Sequence, residues 1–389
     1  MSNVPVVRVN RKAADRVFSG HPWIFASDVV DRGSAQPGDA VTVTDPKGNA
    51  LGTAHYSSTS QITLRLLTRR VEPVDRAFLK RAIEAPYQFR KRMVQNSNAY
   101  RVVHAEGDLL PGLIVDRYGD YVSLQLLNQG MDRLSPEIMN ILEELLGPKG
   151  IVARNDVATR AKENLDAEVK ILSGTVPEHV DIEMNGLAFQ VDLLGGQKTG
   201  VFLDQRENYL AIRRWGRGQA LDCFTGCGGF ALHLASVCDS VEAVDSSELA
   251  VTIAKRNAMS NGITNVEFRE SNVLDYLPAL VSARRNFDVV IVDPPAFAKS
   301  RSALEGAVRG YKEINLRALR LLRPGGILVS CSCSHHMSEA HLFEVIAEAA
   351  LDSRKQLRVL ERRTQAIDHP ILLTVPETHY LKCLVFEVI

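Results

Sequence analysis

The stretch GGILVSCSCSHHMS, residues 325–338, places Cys331 and Cys333 two apart, with His335 and His336 close behind. Thiols in such a setting are core residues, metal ligands or a nucleophile that works as its thiolate. The spacing fits no common structural zinc pattern, and adjacent histidines rarely both bind one ion, so no metal is expected. Regular strand alternation would put both thiols on one face, which by itself makes neither of them reactive.

A second constellation lies upstream. In DCFTGCGGFALHLA an acidic residue, Asp222, precedes Gly226, Gly228 and Gly229 at a turn into a helix. Glycines there admit a positive φ and let a ligand approach the backbone closely. The spacing G-x-G-G, in place of G-x-G-x-x-G, disfavours a dinucleotide. The next apolar run ends in Asp245 and Ser246, where a carboxylate can accept hydrogen bonds from ribose hydroxyls. The third ends at ESNVLDYL, where Asn272 or Asp275 can reach an adenine amino group. Loop, ribose and base contacts from three successive strand ends make up a nucleoside site.

These residues need a frame that lines up strand ends. From about residue 181 apolar strands alternate with amphipathic helices, as in QALDCF, SVEAVD, VEFRES, FDVVIVD and GILVSCSCS with the helical runs between them. Repeated units of this length predict a mostly parallel doubly wound α/β sheet with helices on both faces. The first 70 residues read as short strands, with Ile62, Leu64 and Leu66 alternating against polar neighbours, and predict a small β-rich barrel. Residues 72–94 read as a helical connector, followed by a small α+β unit around the helix SPEIMNILEELLG. The expected domains are therefore 1–72, 73–180 and 181–389.

Composition sets the class. A chain of 389 residues exceeds what one core organises, and 45% hydrophobic with 24% charged residues is ordinary for a globular protein. No apolar run has the length of a membrane span, the N-terminus lacks a signal-peptide core, and six cysteines show no disulfide pattern. A cytoplasmic protein without a membrane partner is expected. Net charge is +0, yet residues 1–100 carry 15 Lys and Arg against 8 Asp and Glu. A basic module suited to phosphates is thus joined to a more acidic one.

Five ordered blocks add a family resemblance: GGQKTGVFLDQREN (195–208), DCFTGCGGFALHLA, FDVVIVDPPAFAKS (287–300), GYKEINLRALRLLRPGG (310–326) and DHPILLTVPETHYLKCLVFEV (368–388). Together they resemble the PUA-domain-bearing class I S-adenosylmethionine-dependent 23S rRNA large-subunit methyltransferases, several of which make 5-methylcytosine. HAEGDLLPGLIVDRYGD and ARNDVATRAKENL are similar to that family's central domain, and VNRKAADRVFSGHPWIFASDV to its PUA domain.

The resemblance implies a seven-stranded Rossmann-like methyltransferase domain that binds S-adenosylmethionine. Gln205, Phe224, Gly226, Gly228, Asp245, Ser246, Asn272, Asp275 and Asp293 would line the cofactor site. Phe202, Asp204 and Arg206 would belong with Gln205 to a segment closing over it. Cys333 aligns with the family's catalytic cysteine, whose thiolate adds to cytosine C6 and makes C5 nucleophilic. Asp293 would hydrogen-bond or protonate cytosine N3, Pro294 and Pro295 would shape the base loop, and Lys299 and Arg301 would meet RNA phosphate.

Cys331 takes an apolar place in the family pattern and is expected to be a core thiol. Cys223, Cys227, Cys238 and Cys383 have no assigned role, and His369 is as well explained by structure as by function. Pro295 stands where many RNA 5-methylcytosine enzymes carry a second cysteine, so the likeness is to a single-cysteine branch, and no base for the C5 proton is identified. The run DPPAF is also similar to enzymes that methylate exocyclic amines. A guanine or amine methyltransferase, for which Cys333 would be dispensable, stays open as an alternative. So does a non-catalytic RNA-binding assembly factor, although intact Gly226, Asp245, Asp293 and Cys333 argue against it. The expected partner is 23S rRNA or a large-subunit assembly intermediate, gripped through Arg8, Arg11, Lys12 and Arg16, and a homodimer is compatible with the resemblance.

Overall fold

Asn10 decides the character of the first segment. Its side chain accepts a hydrogen bond from the Ala13 amide at 2.9 Å and starts a helix, α1 (Arg11–Phe18), that buries Ala13, Ala14 and Val17. The sequence reading took this stretch into a run of strands; the cap and the 3–4 spacing of its small apolar residues override that. The computed structural model describes residues 4–195, 201–297 and 304–389, and Lys299 and Arg301 lie outside them. Around α1 stand β1 (Val6–Val9), β2 (Trp23–Phe25), β3 (Val29–Asp31), β4 (Ala40–Thr44), β5 (Ala50–Tyr56) and β6 (Ile62–Thr68). They form one sheet in the order β2-β6-β5-β4-β1-β3.

The connector is α2 (Arg76–Met93). It leads to β7 (Ala99–His104), β8 (Leu113–Tyr118), β9 (Tyr121–Leu126), β10 (Gly150–Arg154) and β11 (Val169–Gly174), with α3 (Gln129–Arg133) and α4 (Ser135–Leu146) between β9 and β10. The sheet order is β11-β10-β9-β8-β7. β11 is an edge strand whose side chains are largely exposed, which is why no apolar alternation announced it.

A buried charge pins this domain. Arg90 on α2 is 1% exposed and donates to both oxygens of Asp108, at 2.8 and 2.7 Å, and to the Asp368 carbonyl at 2.8 Å. Asp368 in turn accepts the Arg101 amide at 2.8 Å, and the rings of His104 and His369 lie 5.1 Å apart. His369 is thus a buried member of this network.

A hairpin of β12 (Val180–Met184) and β13 (Leu187–Val191) turns at Asn185 and Gly186, both with positive φ. The remaining strands are β14 (Gln219–Cys223), β15 (Ser240–Asp245), β16 (Val266–Glu270), β17 (Phe287–Val292), β18 (Leu322–Ser332), β19 (Leu357–Arg363) and β20 (Lys382–Val388). Their order is β16-β15-β14-β17-β18-β20-β19, parallel from β14 to β18, with β20 antiparallel to both neighbours. The helices are α5 (Arg206–Ile212), α6 (Gly229–Leu234), α7 (Glu248–Ser260), α8 (Val273–Ser282), α9 (Leu304–Leu321) and α10 (Glu339–Asp352). Leu277, Tyr311, Ile314, Leu342 and Ile346 from α8, α9 and α10 share one core with Val290, Val292 and Leu328 of the sheet. The sequence reading passed over β19, because LRVLERR is a polar edge strand.

The chain forms two compact units. Of the described residues, the first holds 4–183, 192–195 and Ile367–Thr378; the second holds Met184–Val191, 201–297, 304–366 and His379–Ile389. Among the described residues no helix is long and apolar enough to cross a membrane.

Asp108→Ala would leave the Arg90 guanidinium buried without its carboxylate, and breaking such a pair costs about 3–5 kcal/mol. The urea midpoint of the first unit should fall accordingly; an unchanged midpoint would show that the network carries no stability.

Candidate active site

The site grows from the turn after β14. Asp222 is fully buried, and its Oδ2 accepts from Thr225 Oγ1 at 2.6 Å and from the Ala231 amide at 3.0 Å. Among the described residues Oδ1 has no hydrogen-bond partner. These bonds clamp a turn in which Phe224, Gly226 and Gly228 have φ of +65°, +55° and +92°. Left-handed backbone is free to glycine but strained for Phe224, and such strain persists only where the surroundings hold it. Asp245, at the end of β15, accepts the Gly226 amide at 2.9 Å through Oδ2 and the Ser247 amide at 3.0 Å through Oδ1. A carboxylate has about four lone-pair sites, so two remain for hydroxyl donors.

The turn leaves room for a ligand. Among the described residues a Cβ on Gly226 would meet only the Phe202 ring, at 3.7 Å, so Phe202, 40% exposed, lies beside the turn and outside the core. Gly229 is different: a Cβ there would fall 2.4 Å from Tyr209, so it is glycine for packing. Asn272 and Asp275 are exposed past the end of β16, Asp275 in the first turn of α8, and Asn272 also caps α8 by accepting the Leu274 amide at 3.0 Å. Ser246 is exposed next to Asp245. The nucleoside residues read from the sequence therefore stand at three adjacent strand ends of one parallel sheet.

Asp293 follows β17, and its amide approaches the Cys223 carbonyl at 3.4 Å, tying the ends of β17 and β14. Gln205, 2% exposed, donates from Nε2 to Asp293 Oδ2 at 2.9 Å. Asn208 donates to Gln205 Oε1 at 2.6 Å, and Arg363 donates to Asn208 Oδ1 at 3.0 Å. Gln205 is thus engaged inside the protein, where it orients Asp293. Asp204 accepts from the Tyr380 hydroxyl at 2.7 Å, and Arg206 is buried. Pro294 is buried and Pro295 exposed.

The two cysteines separate cleanly. Cys331 lies within β18 opposite Cys383, fully buried; burial, then the neighbouring Cys383, pushes its thiol well above the ordinary range. Cys333 comes one residue after the strand ends and is half-buried, and the other five cysteines are all buried. Tyr311 on α9 shares a hydrogen bond with Ser332 Oγ at 2.9 Å, and burial raises its hydroxyl to about 12. Lys382 on β20, 3% exposed, donates to the carbonyls of Ser334 and Tyr380 at 2.7 and 2.8 Å. His335 and His336 are exposed, and among the described residues no three His, Cys, Asp or Glu side chains converge as metal ligands would. Sequence reasoning passed over Lys382 and Tyr311; the visible signal for the lysine was a positive charge inside the apolar run YLKCLVF.

Among the basic residues of the first segment, Arg8 and Arg11 are exposed and only loosely paired with Asp31 at 3.7 Å and Asp15 at 3.9 Å, and Lys12 is exposed. Arg16 does not belong with them. It donates to buried Asp28 at 2.7 Å and stacks on Phe25, so it holds the domain together. Burial of Asp28 opposes its ionisation, but the bonds from Arg16 and Asn10 outweigh this and keep its carboxyl below the ordinary value.

Burial raises Asp222 from 3.8 to about 7 despite its two hydrogen bonds. A raised carboxyl stabilises the fold fully below its unfolded value, and that contribution is lost as pH climbs through the folded one. Asp222→Asn, neutral throughout, should therefore gain on wild type in thermal midpoint between about pH 4 and 7. A difference that stays constant over that window would mean Asp222 is ionised in the native protein.

Comparison with known proteins agrees with both halves of the chain. Residues 7–69 match the PUA-like domain family and residues 217–372 a methyltransferase domain family. In fold, the chain is similar to a SAM-dependent methyltransferase from Streptococcus mutans, 20% identical, with TM-score 0.83 over 98% of this chain and 100% of that one. A methyltransferase crystallised with SAH gives TM-score 0.85 at 19% identity, over 98% of this chain and 100% of that one. In sequence it is 39% identical to ribosomal RNA large subunit methyltransferase I of Tolumonas auensis, over 95% of this chain and 96% of that one. It is 38% identical to the protein of the same name from Citrobacter koseri, over 93% and 94%. With its PUA-like sheet, its class I methyltransferase sheet and this identity along nearly the whole length, the chain belongs to the ribosomal RNA large subunit methyltransferase I family.

Proposed function

We propose that this enzyme methylates carbon 5 of a cytosine in large-subunit rRNA, with Cys333 as the attacking sulfur. The observation that carries the reading is the contrast between the thiols: Cys331 is sealed in the β18–β20 ladder, whereas Cys333 stands half-buried past the strand end, one strand over from Asp293.

The turn fits S-adenosylmethionine, because Gly226 is open, Asp245 keeps acceptor capacity, and Asn272 and Asp275 are exposed at the next strand end. Phe224, Gly226, Gly228, Asp245, Ser246, Asn272 and Asp275 would hold it. Gln205 serves the site through Asp293. When bound, the cofactor supplies a methyl group on an electrophilic sulfonium.

Cytosine C5 is too weakly nucleophilic to take that methyl unaided. The Cys333 thiolate adds to C6, the C5–C6 π electrons move toward C5, and Asp293 stabilises the change in charge at N3. Once C5 carries both methyl and hydrogen, loss of the C5 proton re-forms the double bond and expels the sulfur. Gln205 fixes the Asp293 carboxylate through the Arg363–Asn208–Gln205 chain. The target base must leave its stack to reach this sulfur, and Arg8, Arg11 and Lys12 would hold the surrounding RNA by its phosphates.

Wild type, Cys333→Ala and Cys331→Ala should be given labelled methyl donor and unmodified 23S rRNA, and the product digested to nucleosides for mass spectrometry. Label is expected in 5-methylcytidine, reduced at least about a thousandfold in Cys333→Ala and little changed in Cys331→Ala. Label in a guanosine or exocyclic-amine product that survives Cys333→Ala would overturn the reading. Separately, Gly229→Ala forces Tyr209 out of place and should weaken S-adenosylhomocysteine binding about tenfold or more by calorimetry; unchanged affinity would detach this packing from the cofactor turn.

A further inference from the structure

The second unit buries a lysine that the mechanism above does not use. Lys382 is 3% exposed, sits opposite Ser332 in the β18–β20 ladder, and has two of its three donors fixed on the carbonyls of Ser334 and Tyr380. Ser334 is the residue after Cys333, so these bonds hold the ammonium against the segment that carries the half-buried thiol. Among the described residues no carboxylate lies at ion-pair distance from Nζ. A buried ammonium with only neutral oxygen partners is costly, and lysine is almost never fully buried unless it is paired.

Among the described residues the charged and titratable groups near it have partners of their own. Glu339, from the start of α10, is within electrostatic reach but is itself paired with Arg362. Asp293, at the end of β17, is held by Gln205. Tyr311, from α9, keeps its proton, its hydroxyl bonded with Ser332. Cys331 and Cys383 are buried thiols of the ladder, and His335 lies against the Tyr380 ring at 5.4 Å. Burial draws the Lys382 ammonium down, a negative sulfur on Cys333 and then Glu339 oppose it, and the balance stands at about 8.

We infer that Lys382 is a positioning residue whose ammonium, pinned by the Ser334 and Tyr380 carbonyls, is the counter-charge that keeps Cys333 as a thiolate. The thiol proton passes to solvent, the S–H electron pair stays on sulfur, and the lysine keeps its own three protons. Carbonyl groups alone would oppose a negative sulfur at this strand end, and the lysine reverses the sign of the local field. The inference rests on the reading of Cys333 as the attacking sulfur, and its test reads the sulfur directly.

The rate of iodoacetamide alkylation at Cys333, followed peptide by peptide by mass spectrometry, should be measured from pH 5 to 10 in the full chain for wild type, Lys382→Met and Lys382→Arg. Lys382→Met is expected to shift the profile upward by about one unit, an approximately tenfold slower reaction near neutral pH, with Lys382→Arg recovering most of the loss. Coincident profiles for wild type and a folded Lys382→Met would overturn the inference. If Lys382→Met does not fold, NMR titration of the 13Cε-labelled lysine in wild type and Cys333→Ala gives the reciprocal test. Its midpoint should fall when the sulfur is removed, and an unmoved midpoint overturns the inference. Neither measurement uses methyl transfer. A shifted profile in an enzyme whose Cys333→Ala form still methylates would sink the nucleophile and leave the lysine–sulfur pair standing.

Discussion

The methyltransferase half depends on one buried carboxyl. Asp222 lies one residue before the end of β14, in the parallel part of the sheet, and holds Thr225 and Ala231 with a single oxygen. Those two bonds keep Phe224 in a conformation it would otherwise leave, and from that the rest follows in order. Gly226 presents its amide to Asp245, Gly228 swings the chain into α6, and Gly229 comes close enough for Tyr209 to lie against it. Parallel pairing then sets the ends of β15, β16, β17 and β18 beside this turn. The residues proposed to act stand at the positions after those ends.

The same logic explains how thiols so near in sequence differ so much in chemistry. Inside β18, Cys331 faces Cys383 and is sealed on every side. The ladder stops at Ser332, and one residue later the strand's strict alternation no longer governs where a side chain goes. The expectation that both thiols share a face was made for a regular strand, and β18 ends at Ser332, between them. What distinguishes them is its end.

Much of this was legible in the sequence, for physical reasons. Strands buried on both faces are nearly continuous apolar runs, so the parallel β14, β15, β17 and β18 and the antiparallel β20 stood out, and the glycine turn with Asp245 marked the end of the sheet expected to take a ligand. The edge strands β11 and β19 did not, because exposed strands carry charge in place of alternation. α1 was hidden because its buried face is two alanines and a valine. In the site, residue types and order were readable but partners were not. Gln205 reads as a cofactor contact and is a buried residue bonded to Asp293, and Arg16 reads as an RNA handle and is bonded to Asp28. Lys382 lies 49 positions after Cys333, and only the antiparallel return of β20 brings it there. Such long-range pairings leave no local pattern.

The buried Arg90 of the connector helix also sets an order of events during synthesis. Its guanidinium is satisfied in part by the Asp368 carbonyl, 278 residues further along the chain. At ribosomal rates of about 5–20 residues per second, that partner emerges on the order of tens of seconds later. A nascent first unit that has its own sheets and the Asp108 pair must therefore wait, incompletely closed, for a segment encoded between the last two strands of the other sheet. The contacts of Arg90 are therefore completed only when almost the whole message has been read.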